Sequence, residues 1–319
     1  MAAALLAVII YLAVHAGCCK TPRPGSGGGS APSPGPTSYP TSDPPHRYLF
    51  AFGASYTATG FDLDGMWPNV DNPIGNPAFP GVTLSKGPTW VDWLTTYYNS
   101  SLTYTFNLAV AGAVTDKNIT GPDSTVRSFT EQVNELYLPT LAKRPTHAQW
   151  DPSTAAFGVF VGINDIQVYY KNTTTDINSQ AELLLNSYFD NLEALHQSGA
   201  RNFFTFNINP QQISPSFSSD KKTDIQRFAK WVDVYNRKMV EHGDTFRSKH
   251  KDSKILVFDN HAVWDRVLKD PKDYCFQDTT CIGNGTCPCL WANDFHPGYT
   301  MQKVVTKQLA ADLKNQSIF

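Results

Sequence analysis

The chain reads as an α/β protein, a three-layer α/β/α sandwich built on a five-stranded parallel sheet. Three observations predict this. Five short, continuous apolar runs recur between residues 47 and 258. Stretches of helical periodicity separate them, which is the alternation of βαβ units. The runs themselves do not alternate apolar with polar residues. Strands covered on both faces by crossover helices have no wet side, and so need no polar positions.

The first run, Tyr48-Leu49-Phe50-Ala51-Phe52, meets Gly53, and Ser55 follows two residues later. A strand that ends in a tight turn presents that hydroxyl at the carboxyl edge of the sheet, where ligands collect in open α/β folds. Residues 61–86 are irregular and rich in Pro, Gly and Asn, the length and composition of a functional loop. Thr89–Tyr98 places Trp90, Trp93, Leu94 and Tyr97 on one helical stripe. Thr103–Val110 is the second strand, stopped by Ala111-Gly112-Ala113. A helix is predicted over Val126–Leu141. The third strand, Ala155–Val161, runs into Gly162-Ile163-Asn164-Asp165. A long amphipathic helix over Asp176–Ser198 ends at Gly199, a C-terminal stop signal. Asn202–Ile208 and Lys254–Phe258 are the fourth and fifth strands, with a helix over Thr223–His250 between them. A last helix is predicted over His296–Leu313, with Pro297 in its first turn.

The amino-terminal end is different in kind. Residues 1–16 are mostly apolar and end in Val14-His15-Ala16, which reads as a secretory signal peptide with a small-residue cleavage site. The alternative is an uncleaved anchor that tethers the domain to a membrane, for which the segment is short. Residues 17–46 are dominated by Pro, Gly and Ser, with almost nothing to bury, and are expected to form a disordered stem. Residues 47–319 are left as one domain. With 26 basic and 28 acidic residues and no basic run, nucleic acid is excluded as a partner. No stable membrane partner is expected, and the domain is expected to be a monomer.

An extracellular location agrees with five Asn-x-Ser/Thr triplets, at Asn99, Asn118, Asn172, Asn284 and Asn315. It also agrees with four clustered cysteines: Cys275, Cys281, Cys287 and Cys289. In an oxidising compartment these form two disulfides, and a zinc site is the rival reading. Three pairings are possible. The nested one, Cys275–Cys289 around Cys281–Cys287, is favoured because Cys287 and Cys289 are too close in sequence to pair readily with each other.

Four residues now fall into an order with chemical meaning: Ser55 after strand one, Gly112 after strand two, Asn164 after strand three and His296 near the end. Acyl transfer from an ester needs a nucleophilic oxygen, a base for its proton and donors for the tetrahedral oxyanion. A hydroxyl, an imidazole, a backbone N–H and a side-chain amide meet those needs. Taken singly, each has an ordinary structural role as a turn, a cap or a satisfied core group. Their joint order at three strand ends carries the inference.

That order resembles the SGNH hydrolases, also called the GDSL esterase superfamily, and in particular the fungal acetylesterases of carbohydrate esterase family sixteen. The resemblance spans nearly all of residues 47–314. It rests on Phe52-Gly53-Ala54-Ser55-Tyr56-Thr57, Asn72-Pro73-Ile74-Gly75-Asn76-Pro77 with Pro80-Gly81-Val82-Thr83, and Trp90-Val91-Asp92-Trp93-Leu94. It continues through Asn107-Leu108-Ala109-Val110-Ala111-Gly112-Ala113, Val161-Gly162-Ile163-Asn164-Asp165 and His296-Pro297. It implies a flavodoxin-like sheet, Ser55 as nucleophile and His296 as base. It implies an oxyanion hole made by the N–H groups of Ser55 and Gly112 with the Asn164 amide, and no metal or organic cofactor. The implied substrate is an acetylated oligo- or polysaccharide of plant cell walls. The α/β-hydrolase fold is set aside, because its Gly-x-Ser-x-Gly turn would require glycine at Thr57.

Two positions depart from the family pattern. The residue before the nucleophile, normally aspartate, is Ala54, a missing brace expected to loosen the turn. The aspartate expected three residues before the histidine is Asn293, with Asp294 one residue closer. An amide oxygen can hold an imidazole tautomer but stabilises imidazolium less than a carboxylate does. Three outcomes follow: Asn293 orients His296, Asp294 takes over, or the site is inactive. The corresponding functional alternatives are a lipase or acyltransferase of longer acyl preference, or a glycan-binding protein on a degenerate esterase scaffold. Trp67, Trp90 and Trp291 are candidates for lining a sugar cleft. Trp67, in the irregular loop, is the best of them, and Trp90 belongs to a helix stripe.

Overall fold

The computed structural model describes residues 47–121, 124–283 and 288–318. The leader and stem, Asn284 and Cys287 lie outside them. The sheet comprises β1 (Arg47–Gly53), β2 (Thr103–Asn107), β3 (Ala155–Phe160), β4 (Asn202–Phe206) and β5 (Lys254–Phe258), in the order β2-β1-β3-β4-β5. All four pairings are parallel. This is the flavodoxin-like order, in which the chain reverses direction across the sheet between β1 and β3. Ser55, Gly112 and Asn164 follow β1, β2 and β3, so the topology brings the three chain turns to one edge.

Register sorts the strand side chains into two layers. Phe50 pairs with Phe106 on one side and Phe157 on the other, and all three face one layer with Tyr137 and Trp150. That face is covered by the helical segments Phe129–Tyr137, Ile177–Gln197 and Lys222–Lys249. On the other face Trp90 packs on Phe204 and Phe206, and the helices Trp90–Thr96, Asn260–Lys269 and Tyr299–Asn315 close the third layer. Phe50, Phe157 and Phe203 are fully buried, and truncation of any one to alanine would cost about 3–5 kcal/mol.

The sequence reading differs from the structure in four places. The segment predicted as a helix over Val126–Leu141 starts with a Ser128/Glu131 capping box, but only Phe129–Glu131 are α-helical. Gln132–Tyr137 form a π-helix, with the Leu138 N–H bonded to the Val133 carbonyl five residues back. The wider turn buries Gln132, Val133 and Tyr137 together. Second, the last helix begins at Tyr299, not His296. A residue before proline is pushed out of the helical region, and His296 precedes Pro297. Third, the short helices Lys117–Thr120, Ile163–Tyr169 and Asn260–Lys269 were not anticipated. Fourth, the nested disulfide pairing is incorrect: Cys281 is bonded to Cys289, with Cα atoms 4.9 Å apart. Backbone hydrogen bonds from Trp291 to Cys281 and from Gly283 to Trp291 lay the two segments side by side, which sets this partner. Cys275 is also disulfide-bonded.

Among the described residues no helix is long and apolar enough to cross a membrane. Of the glycosylation triplets, Asn118, Asn172 and Asn315 are exposed. Asn99 is half-buried and donates its amide to the Ser101 carbonyl.

Candidate active site

Where β1 ends, the backbone turns at Gly53 with φ +139°. A Cβ there would lie 2.2 Å from the Phe160 carbonyl oxygen, so only glycine fits. The chain then enters one helical turn, with the Thr57 and Ala58 N–H groups bonded to the Ala54 carbonyl at 3.0 and 2.9 Å. Ser55 sits on this turn, 7% exposed. The turn is clamped from β3, through the Ala54 N–H to Phe160 at 3.2 Å, and from the π-helix. There the fully buried Gln132 accepts the Gly53 N–H on Oε1 at 2.9 Å and donates Nε2 to the Gly53 carbonyl at 2.9 Å. The role expected of a carboxylate at position 54 is met from elsewhere in the chain.

His296 reaches this turn directly. Its Nε2 lies 2.9 Å from Ser55 Oγ, and its Nδ1 lies 3.0 Å from Asn293 Oδ1. The same Asn293 oxygen accepts the backbone N–H groups of Phe295 and His296, at 2.9 and 2.8 Å. Backbone N–H groups only donate, so the atom that faces them is the amide oxygen. Nδ1 must therefore carry a proton, which leaves the Nε2 lone pair for the Ser55 hydroxyl. Burial pushes the imidazole down to about 4, against an opposing pull from the Asp294 charge. The ring is thus neutral near pH 7, the state a base requires. Asp294 is exposed; its backbone carbonyl accepts from Ser216, and its side chain acts on His296 only through its charge. Of the two orienting candidates, the structure places Asn293 on the ring.

The donors for an oxyanion converge on the same edge. Backbone bonds from Leu108 to Ala51 and from Val110 to Gly53 extend β2 alongside β1 and carry the next turn to Gly112, at φ +85°. Asn164 lies in the first turn of the helix Ile163–Tyr169 after β3 and donates one amide hydrogen to the Ala113 carbonyl at 2.7 Å, leaving the other free to point elsewhere. Among the described residues, neither the Ser55 nor the Gly112 N–H donates to a protein acceptor. Asp165 holds this wall together. Its buried carboxylate accepts from the Thr115 N–H, the Thr115 hydroxyl and the Thr120 hydroxyl, while burial pushes its carboxyl up to about 6. A small pocket of about 10 Å³ opens beside the nucleophile, lined by Ala54, Ser55, Tyr56, Phe160, Ile163 and Asn164 among others.

A second network joins the two catalytic turns and was not foreseen. Tyr56, the residue after Ser55, places its hydroxyl 2.5 Å from Gln211 Oε1 and 2.9 Å from the Phe295 carbonyl oxygen, two acceptors that share its one hydrogen. Gln211 Nε2 donates to the same carbonyl at 2.8 Å, and Asn209 donates to Gln211 Oε1 at 2.8 Å. Burial holds the Tyr56 hydroxyl well above its ordinary range, so it remains a donor. Its ring meets His296 edge-on at 5.6 Å. The carbonyl between Asn293 and His296 is in this way tied to the residue next to the nucleophile. No local pattern signals Gln132 or Gln211, because each bonds backbone or tyrosine groups far away in sequence.

Trp67 is elsewhere. Its ring stands edge-on against Phe106 at 5.4 Å, and its Nε1 donates to the Leu63 carbonyl at 2.7 Å. It lines an open groove of about 700 Å³ with Pro68, Asn69, Pro145 and His147, separate from the pocket at Ser55. Trp90 and Trp291 are core residues with no exposed surface.

A hydroxyl hydrogen-bonded to a neutral, tautomer-fixed imidazole beside uncommitted N–H donors is an arrangement suited to acyl transfer. Comparison with known proteins points the same way. The family model for GDSL-like lipase/acylhydrolase matches residues 49–309. The chain is 36% identical over 275 residues to an acetylesterase from Thermothelomyces thermophilus, covering 86% of this chain and 90% of that one. It is 25% identical over 179 residues to a GDSL esterase/lipase from Arabidopsis thaliana, covering 51% and 48%. Among solved structures it is similar to a member of the lipolytic G-D-S-L family from Veillonella parvula, with a TM-score of 0.46, 14% identity and coverage of 85% and 99%. The chain therefore belongs to the GDSL-like lipase/acylhydrolase family and is a carboxylic ester hydrolase.

Proposed function

We propose that the protein is a secreted serine esterase that removes acetyl groups from plant cell-wall carbohydrate through an acyl-enzyme. The observation that carries this reading is the contact between His296 Nε2 and Ser55 Oγ at 2.9 Å, with the ring held at Nδ1 by Asn293. His296 takes the Ser55 proton as Oγ attacks the acetyl carbonyl carbon. The Ser55 and Gly112 N–H groups and the Asn164 amide receive the oxyanion. His296 then returns the proton to the departing sugar oxygen, leaving acetyl on Ser55. Water, deprotonated by His296, releases acetate. The pocket beside Ser55 is small, which favours a short acyl group. The name of the Thermothelomyces relative supports the same acyl class. Secretion is supported by the apolar leader, by the exposed triplets at Asn118, Asn172 and Asn315, and by the Cys281–Cys289 disulfide.

The test is hydrolysis of 4-nitrophenyl esters of graded chain length and of acetylated xylo-oligosaccharides, with a Ser55→Ala control. Acetyl esters should turn over fastest, and Ser55→Ala should lower kcat at least about a thousandfold. Equal rates for wild type and Ser55→Ala would refute the covalent mechanism. A rate that rises with chain length would replace acetyl by a longer acyl group.

A further inference from the structure

Far from Ser55, the carboxyl ends of two packed helices bring a different set of side chains together. Glu193 and His196 lie three residues apart on the helix Ile177–Gln197 and so share a face. His250 caps the helix Lys222–Lys249. The two imidazole rings face each other with centroids 4.0 Å apart. Glu193 Oε2 lies 2.8 Å from His250 Nε2, and one ligand atom from each of the three residues falls within 4.8 Å of the others. The cluster is largely buried, with side-chain exposures of 26% for Glu193, 14% for His196 and 9% for His250.

We propose that Glu193, His196 and His250 form a binding site for a divalent cation of the zinc type. Two imidazoles and a carboxylate are the nitrogen and oxygen donors that zinc accepts, whereas magnesium and calcium prefer oxygen alone. A cation between His250 Nε2 and Glu193 Oε2 would take the place of the hydrogen that joins them, the ring then carrying its proton on Nδ1. Tetrahedral coordination at zinc bond lengths sets ligand atoms roughly 3.3 Å apart, so side-chain movement at the helix ends suffices to close the site. Asp252 Oδ1 lies 3.2 Å from His196 Nε2, and Arg201 holds its other oxygen at 2.8 Å. A carboxylate so placed fixes the orientation of the ring, as outer partners do at metal centres. Lys249, bonded to Glu193 at 2.8 Å and 63% exposed, is the competing cation and can swing into solvent.

The segments after these helices lead into the starts of β4 and β5, the sheet edge opposite Ser55. The ion would therefore clip two helices and take no part in ester cleavage.

Titration calorimetry of the EDTA-treated full-length protein with zinc chloride tests the proposal, with thermal unfolding and 4-nitrophenyl acetate hydrolysis followed in parallel. One saturable zinc per chain and a higher Tm are expected, with hydrolysis unchanged and no matching response to magnesium. His196→Gln and His250→Gln should each weaken binding about 10- to 100-fold. Lys249→Gln should tighten it, which keeps the proposal testable if His250→Gln does not fold. Absence of saturable binding would overturn the assignment. So would affinity unchanged in both histidine variants, and inhibition of hydrolysis would then place the zinc on His296.

Discussion

Ser55 and His296 sit on two facing turns, and the two turns are held in different ways. The nucleophile turn is braced from a distance: Gln132, 79 residues further along the chain, pairs both the N–H and the C=O of Gly53. The histidine turn is self-contained: one oxygen of Asn293, three residues back, accepts two backbone N–H groups and the imidazole N–H. Each turn departs from the family pattern at one residue, Ala54 in the first and Asn293 in the second. In the first, the missing carboxylate is made good by a residue whose task is to pair backbone. In the second, a weaker group occupies the position that touches the reacting imidazole. The remote brace therefore belongs to the fold's stability, and the local one to the chemistry.

Gln132→Ala should separate these roles most sharply. It would leave the Gly53 N–H buried without a partner, at about 1–3 kcal/mol, while the Gly53 carbonyl keeps its bond from the Val110 N–H. For a chain of this size that loss corresponds to a fall in Tm on the order of 5 °C. The folded fraction should still hydrolyse 4-nitrophenyl acetate, because β3 continues to hold Ala54 through the Phe160 carbonyl. An unchanged Tm would show that water or a shifted backbone replaces the clamp.

Asn293→Ala should do the reverse. The hydrogen bond to Nδ1 gains strength as the ring becomes charged, and a bond to a charged group is worth about 1.5–3 kcal/mol. At 1.36 kcal/mol per decade, kcat should fall roughly 10- to 100-fold with KM little changed. The exposed Asp294→Ala should leave kcat near wild type. If Asp294→Ala proved the more damaging, the orienting role would belong to Asp294.

How much of this was legible in the sequence follows from the range of each signal. The strands and their parallel order were, because burial on both faces leaves a continuous apolar run such as Phe50–Phe52 or Phe157–Phe160. The positions of Ser55, Gly112 and Asn164 were, because each follows a strand end. The π-helix at Gln132–Tyr137 was not, because one wider turn barely disturbs an apolar stripe read at helical spacing. Gln132 and Gln211 were invisible for a related reason: their partners are Gly53 backbone groups, the Tyr56 hydroxyl and a Phe295 carbonyl, none of which fixes a residue type at a set spacing. The disulfide was misassigned by counting separations, whereas the backbone pairing of Cys281 with Trp291 decides which sulfurs meet. Trp67 was assigned to substrate because its loop is irregular; its ring packs against Phe106 and also lines an open groove apart from the Ser55 pocket.

The smallest expected effect is also the most direct measure of the histidine turn. Burial holds His296 at about 4, below its ordinary value of 6.5. A protonated ring cannot accept the Ser55 proton, so kcat/KM should hold steady down through pH 5 and fall only as the pH passes about 4, this quantity reporting the free enzyme. Because the folded value lies below the unfolded one, the same ring also costs stability as the pH falls from 6.5 toward 4. Two substitutions should move the acidic limb in opposite directions. Asn293→Asp places a carboxylate on Nδ1, favours the charged ring and raises the limb. Asp294→Asn removes the one charge that now pulls upward on the ring, and lowers it. The first shift should be the larger, since Asn293 touches the imidazole while Asp294 acts across solvent. A wild-type limb near 6.5, or two shifts in the same direction, would mean that burial does not set the proton affinity of this histidine.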